Sequence, residues 1–179
     1  MRILQGEWQG RSIPFPRGIS ARPLTEKARE ALFHILTHHW GSLTGCQAID
    51  LFAGCGTVGL EFLSRGAAYI TFVEKEALAA RSLHTLLQAW GAAHRSRVLL
   101  MQVETFLQQP AEPADFIFAG PPFRYWRKKI LISLILERGW LNPGGCFILE
   151  HPLYESYEEM PYFWRVVQYV SSKLSFFRL

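Results

Sequence analysis

The run Asp50–Gly59 places glycines at 54, 56 and 59 directly behind a compact apolar stretch, in a chain of 179 residues. Glycine lets a backbone approach a ligand closely, and a helix opening there offers unbonded N–H groups. Glu74 follows Gly54 by twenty residues. An acid at that distance, closing the next strand, reaches both ribose hydroxyls of a nucleotide-type cofactor. A second segment, Gly120, Pro121, Pro122 and Phe123, also closes an apolar run. Its prolines fix the backbone and aim a carbonyl outward, and Phe123 offers a flat face to a base. Open α/β sheets bind ligands beyond the carboxyl ends of their strands, so the two segments should share one crevice.

The elements that must position them alternate along the chain. Thr25 is a candidate N-cap, and Ala28, Leu32, Ile35 and Leu36 form an apolar stripe, which predicts a helix from Glu26 to His39 closed by Gly41. Strands are expected at Ala48–Phe52, Tyr69–Val73, Val98–Met101, Phe116–Phe118 and Cys146–Glu150. Helices are expected from the glycine loop to Arg65, from Glu76 to Ala89 and from Trp126 to Glu137, with a turn at Asn142–Gly145. Phe163–Tyr169 and Lys173–Phe177 read as a hairpin. This order predicts an α/β fold, a mostly parallel sheet with an antiparallel C-terminal hairpin. Residues 1–179 form one expected domain, with 1–24 as an N-terminal arm or short β extension built from pieces such as Met1–Leu4 and Ser12–Phe15.

A hydrophobic content of 49% with 19% charged residues excludes a disordered chain, and no apolar stretch approaches a bilayer span. No basic-led apolar segment with a cleavage site opens the chain, and the three cysteines, Cys46, Cys55 and Cys146, lack paired spacing. A cytoplasmic protein with reduced thiols and no membrane partner is expected. His34 and His38 could share a helical face, but no further ligand stands at a metal-binding spacing, so no metal is expected. The net charge of +4 is unevenly spread. Arg2, Arg11, Arg17, Arg22, Lys27 and Arg29 crowd the first thirty residues. Arg124, Arg127, Lys128 and Lys129 surround Tyr125 and Trp126. Basic clusters with interleaved aromatics suit a phosphate backbone and unstacked bases.

The chain resembles the bacterial guanine-N2 methyltransferases of small-subunit ribosomal RNA. The similarity runs almost end to end: Met1–Leu4 with Gly10 and Arg11, Arg22–Thr25, Arg29–Phe33, Asp50–Glu61, Ser64–Ala67, Phe72–Lys75, the Pro121–Pro122 segment and Lys173–Phe177. The resemblance implies a Rossmann-like fold and S-adenosylmethionine as cofactor. Asp50, Phe52 and the Gly54–Gly59 loop would hold its methionine part, Glu74 its ribose, and Gln102 would stand near the adenine. Gly120, Pro121, Pro122 and Phe123 would form the catalytic segment. Arg22 and Arg29 would order the N-terminal arm over the site or touch RNA, and Arg124, Arg127, Lys128 and Lys129 would bind RNA beside the crevice.

Departures from the family pattern are specific. Leu24 stands for a usual Thr, Cys55 for a small polar residue, and Gly120 for the Asp or Asn that opens the catalytic segment. That side chain and a proline carbonyl accept the N–H bonds of the guanine amine, whose lone pair is otherwise delocalised into the ring. The leading expectation is a monomeric enzyme methylating guanine N2 in small-subunit ribosomal RNA or an assembling subunit. The alternative is a catalytically impaired homologue that binds cofactor and RNA. An NAD-linked oxidoreductase is disfavoured, since no His, Tyr or Lys constellation accompanies the glycine loop.

Overall fold

The computed structural model describes residues 1–16, 18, 19 and 23–179; Arg17 and Arg22 lie outside the described residues. Helix α1 spans Glu26–Trp40, with the Thr25 side chain accepting the Ala28 N–H and Gly41 closing it at φ 75°. Strand β1 (Gln47–Leu51) leads through the glycine loop into helix α2 (Thr57–Ser64). Then come β2 (Tyr69–Glu74), α3 (Ala77–Ala89), β3 (Ser96–Leu100), a short α4 (Val103–Leu107) and β4 (Ala114–Ala119). Helix α5 (Lys128–Glu137), β5 (Leu141–His151), β6 (Phe163–Gln168) and β7 (Lys173–Arg178) complete the chain.

One sheet takes the order β3-β2-β1-β4-β5-β7-β6. β3, β2, β1, β4 and β5 run parallel, while β7 and β6 are antiparallel to their neighbours. The Rossmann-like α/β architecture and the C-terminal hairpin stand as read from the sequence. The strand order reverses between β1 and β4, which puts a crevice at their carboxyl ends. Apolar side chains alternate between two cores. Ala48, Phe72, Phe118 and Ile148 pack with α1, α2 and α3 on one face. Ile49, Val73, Ile117 and Phe147 pack with α4 and α5 on the other.

Three local expectations are corrected. Asn142–Gly145 is an irregular part of β5, not a turn before it: the β4 pairing steps from Ala114↔Leu141 to Phe116↔Cys146. Helix α5 starts at Lys128, since the Tyr125 N–H bonds back to the Pro122 carbonyl in a turn. Phe52 leaves β1 in the left-handed region at φ 60°. Helix α4, five residues long, is too short for its sequence to show a stripe.

The first residues fold back on themselves through an antiparallel bridge, Arg2↔Ser12, and bury Ile3, Trp8 and Ile13. Glu61 of α2 accepts the N–H groups of Leu4 and Gln5 at 2.9 and 3.0 Å. Ser64 Oγ accepts the Trp8 N–H at 3.0 Å and donates to the Gln5 carbonyl at 2.6 Å. The arm is thus clamped to the helix that follows the glycine loop.

Candidate active site

Side chains alternate across a strand. From Ala48, Phe72, Phe118 and Ile148, a step of two residues carries Asp50, Glu74, Gly120 and Glu150 to one face at the carboxyl ends of β1, β2, β4 and β5. All four line one cavity of about 640 Å³. Phe52, Gly54, Gln102, Pro121, Pro122 and Phe123 line it too, so the glycine loop and the proline segment do share a crevice. Phe15, Pro23 and Leu24 bring the N-terminal arm to its wall.

Glu74 is almost buried, and each carboxylate oxygen takes a backbone N–H: Gly54 to Oε2 and Glu76 to Oε1, both at 2.7 Å. The acid thereby fixes the loop while its remaining lone pairs stay available to a hydroxyl donor. Asp50 Oδ2 accepts the Gly59 N–H at 2.9 Å. Burial pushes the Asp50 carboxyl up to about 8, the Gly59 bond opposing the shift and the Glu74 charge adding to it. Burial, with Glu74 beside it, also pushes the Cys55 thiol up to about 11, so it stays a protonated thiol, not a nucleophile.

Gly56 and Gly59 work behind the cavity and not on it. A Cβ on Gly56 would lie 2.6 Å from Leu83 Cδ1, and one on Gly59 2.2 Å from Phe72 Cε1. Both let α2 pack tightly on β2 and α3, and neither is among the residues that line the cavity, although both were expected to hold the cofactor. Gly54, at φ 54°, is the glycine that lines the cavity.

The proline segment is braced from below. Lys128 Nζ donates to the carbonyls of Phe123 and Tyr125 at 3.0 and 2.6 Å and pairs with Glu155 at 3.1 Å. With the Tyr125–Pro122 turn, these bonds use the carbonyls of Pro122, Phe123 and Tyr125 and pass over that of Pro121. Tyr125 donates to Glu104 at 2.9 Å and meets Phe52 edge to face at 5.2 Å.

The expected RNA-binding cations divide sharply. Arg124 and Arg127 are exposed, and Arg127 lies 4.8 Å over the ring of Trp126, itself 77% exposed at the cavity. Lys129 is exposed and paired with Glu159 at 2.8 Å. Lys128, only 2% exposed, cannot reach RNA, because its charge is spent on the segment above it. Arg29 cannot either: its side chain is buried against Glu61 at 3.8 Å, and it donates to the Arg2 carbonyl. That bond joins it to the arm, where the other of its two expected roles would lie. His34 and His38 stack at 6.3 Å on α1, and no three potential ligands converge on a metal site among the described residues.

Sequence reasoning noted Glu150 only as a strand end. Its signal was present, an acid closing an apolar strand as Glu74 does, but the cofactor fingerprint names only the acid of the second strand.

Asp50, Glu74 and Glu150 bring three carboxyl groups to one space, which fits a cofactor that offers amine and hydroxyl donors. Solved structures define the class. A hypothetical protein from Thermus thermophilus matches with a TM-score of 0.85 and 30% identity, covering 100% of this chain and 99% of that one. A 16S rRNA N2 methyltransferase from the same organism, in complex with AdoMet and guanosine, shares the fold at a TM-score of 0.72 and 24% identity, over 90% of this chain and 45% of that one. The fold is that of the Rossmann-like methyltransferases, and a putative methyltransferase from Escherichia coli shares it at a TM-score of 0.88 and 29% identity, over 99% of this chain and 97% of that one. The ribosomal RNA small subunit methyltransferase D of Escherichia coli K12 is 33% identical over 164 residues, 92% of this chain and 81% of that protein. The family described as conserved hypothetical protein 95 matches residues 1–178, and the chain belongs to this family of small-subunit rRNA methyltransferases.

Proposed function

We propose that this protein methylates the exocyclic N2 of a guanine in small-subunit ribosomal RNA, acting in the cytoplasm as a monomer on RNA or an assembling subunit. The observation that carries the reading is the single cavity shared by Glu74, the Gly54 loop and the Pro121–Phe123 segment. An acid suited to a ribose and an aromatic suited to a base border the same space, which supports the reading.

S-adenosylmethionine, when bound, supplies a methyl group on a positively charged sulfur. The chain's own residues do the rest. Glu74, already oriented by Gly54 and Glu76, accepts the ribose hydroxyls. Asp50 and the Gly54 backbone hold the methionine part, and Gln102 offers its amide to the adenine. Phe123 stacks on the target guanine, and Pro121 turns its carbonyl toward the amine. Arg124 and Arg127 meet phosphates, and Trp126 gives an unstacked neighbour a flat partner. Catalysis here is chiefly positioning, the held amine meeting a held methyl group.

Gly120 favours a second reading, a homologue that binds cofactor and RNA without turnover, because it brings no acceptor of its own. Incubating undermethylated small subunits with the protein and labelled S-adenosylmethionine decides between them. N2-methylguanosine in the digested RNA is the expected product. Cofactor binding without incorporation would establish the second reading, and methylation of another base would overturn the guanine assignment.

A further inference from the structure

Gly120 and Glu150 are neighbours across two parallel strands. The β4–β5 register ends with Ala119 opposite Leu149, and the next residue on each strand is Gly120 and Glu150. A Cβ built on Gly120 would lie 3.5 Å from Glu150 Oε2. The carboxylate of β5 therefore borders the ground that an Asp or Asn side chain at position 120 would claim. Glu150 is 9% exposed, and the surface it keeps faces the cavity. Glu74 is tied to the glycine loop on the far side of β1, and Asp50 holds the start of α2.

We propose that Glu150 is a catalytic residue that supplies, from the adjacent strand, the acceptor missing at Gly120. This rests on the guanine-N2 reading above. Its carboxylate accepts one N–H of the guanine amine while the Pro121 carbonyl accepts the other, drawing the nitrogen lone pair out of the ring and toward the methyl donor. The lone pair forms the new N–C bond, and the methyl–sulfur bond breaks with its electron pair left on sulfur. The nitrogen, briefly cationic, loses one proton to the Glu150 carboxylate, which passes it to water. Phe118, whose ring carbon lies 3.2 Å from the same Cβ position, closes the space beneath. Gly120 thus leaves room for the carboxylate from β5. A side chain can also be accommodated there, since its φ is not in the left-handed region and Phe118 need move only a few tenths of an ångström.

Binding and turnover test this separately. Guanosine and inosine differ by the exocyclic amine, so their affinities for the protein loaded with S-adenosylhomocysteine report the acceptor directly. Wild type should prefer guanosine on the order of tenfold to a hundredfold, the usual worth of hydrogen bonds to a charged group. Glu150→Ala should bring that ratio near that of the remaining carbonyl alone and slow methyl transfer by about 10²–10³. Glu150→Gln should keep most of the preference through its amide oxygen, yet slow transfer and flatten its pH profile, because it takes up no proton. Gly120→Asn in the Glu150→Ala background should restore preference and rate together. Unchanged preference and rate in Glu150→Ala overturn the proposal. If Glu150→Ala loses S-adenosylhomocysteine affinity, Glu150→Gln decides: a wild-type rate and pH profile overturn the proposal, and a slowed, flattened one upholds it. A wild type that makes no N2-methylguanosine and binds both nucleosides alike overturns the guanine reading itself, an outcome distinct from the loss of Glu150's role alone.

Discussion

The Gly54 N–H points at Glu74 Oε2 from 2.7 Å, so the acid that closes β2 and the loop that follows β1 are one unit. A second bond, from the Glu76 N–H, fixes the other oxygen. The carboxylate is therefore held in place before any ligand arrives, and a ligand hydroxyl meets an acceptor whose ordering cost is already met.

Glu74→Gln sets an NH₂ group against one of those two N–H donors, and Glu74→Ala removes both acceptors. S-adenosylmethionine affinity should fall by about 1.5–3 kcal/mol in Glu74→Ala, the range for hydrogen bonds to a charged group. Hydrogen exchange at Gly54 should quicken in both variants. Calorimetry beside exchange mass spectrometry checks the pair. Full affinity with a loosened loop would remove Glu74 from the binding role.

Asp50 makes stability fall as pH rises. Burial holds its carboxyl at about 8 when folded, whereas the unfolded chain loses that proton near 3.8. Between those values the folded state binds more protons, so ionising the buried group costs stability progressively, in full only above about pH 8. Asp50→Asn keeps an oxygen for the Gly59 N–H and removes the titration. The variant should match wild type below about pH 4 and exceed it increasingly toward about pH 8. Thermal melts across that range read the difference; a constant offset would mean that Asp50 is not its source.

Much of this was legible along the chain, and what was missed has a common cause. Thr25, Gly41, the glycine loop and Glu74 act through neighbours close in sequence or through a spacing the fold repeats, so residue types alone point to them. Lys128 reads as a surface cation, and Arg29 keeps both an arm-ordering and an RNA-touching reading, because their partners, Glu155 and Glu61, are remote in the chain. Gly56 and Gly59 read as ligand contacts because the close approach they permit, to Leu83 and Phe72, is made by side chains from later elements. Glu150 acquires meaning only when β5 is laid beside β4 in register. Pro143 and Gly144 signal a turn locally, yet Gly144 donates to the Leu179 carbonyl and stays within the sheet.

The basic cluster should split in solution as it does in the fold. Neutralising Arg124 and Arg127 should flatten the salt dependence of RNA binding by about 0.7 per phosphate contact on single strands. Lys128→Met should leave that slope alone and instead destabilise the protein by about 3–5 kcal/mol, since Glu155 and two carbonyls lose their buried cation. Salt titrations of binding and chemical denaturation measure the two effects. A slope altered by Lys128→Met in folded protein would return that residue to the RNA surface.

The pair Arg29–Glu61, with both side chains fully buried, should respond asymmetrically to truncation. Glu61 serves four donors, the N–H groups of Leu4 and Gln5 and two nitrogens of Arg65, and faces the Arg29 guanidinium as an ion pair at 3.8 Å. Arg29 depends on Glu61 and the Arg2 carbonyl, while its Nε and Nη1 have no hydrogen-bond partner among the described residues. Burial already holds the Arg29 guanidinium below its ordinary value, with the Glu61 charge opposing that shift. Glu61→Leu therefore strands a buried cation and frees the arm, and should cost about 3–5 kcal/mol. Arg29→Met replaces a poorly satisfied cation with an apolar chain of similar length and leaves Glu61 four donors, so it should cost much less. Because Phe15, Pro23 and Leu24 carry the arm to the cavity wall, Glu61→Leu should also weaken S-adenosylmethionine binding and speed exchange at Leu4 and Gln5. Arg29→Met should leave those two amides protected. Denaturation midpoints, amide exchange and calorimetry on the two variants give three independent orderings. An Arg29→Met protein less stable than Glu61→Leu would show that the cation, not the acid, holds the arm.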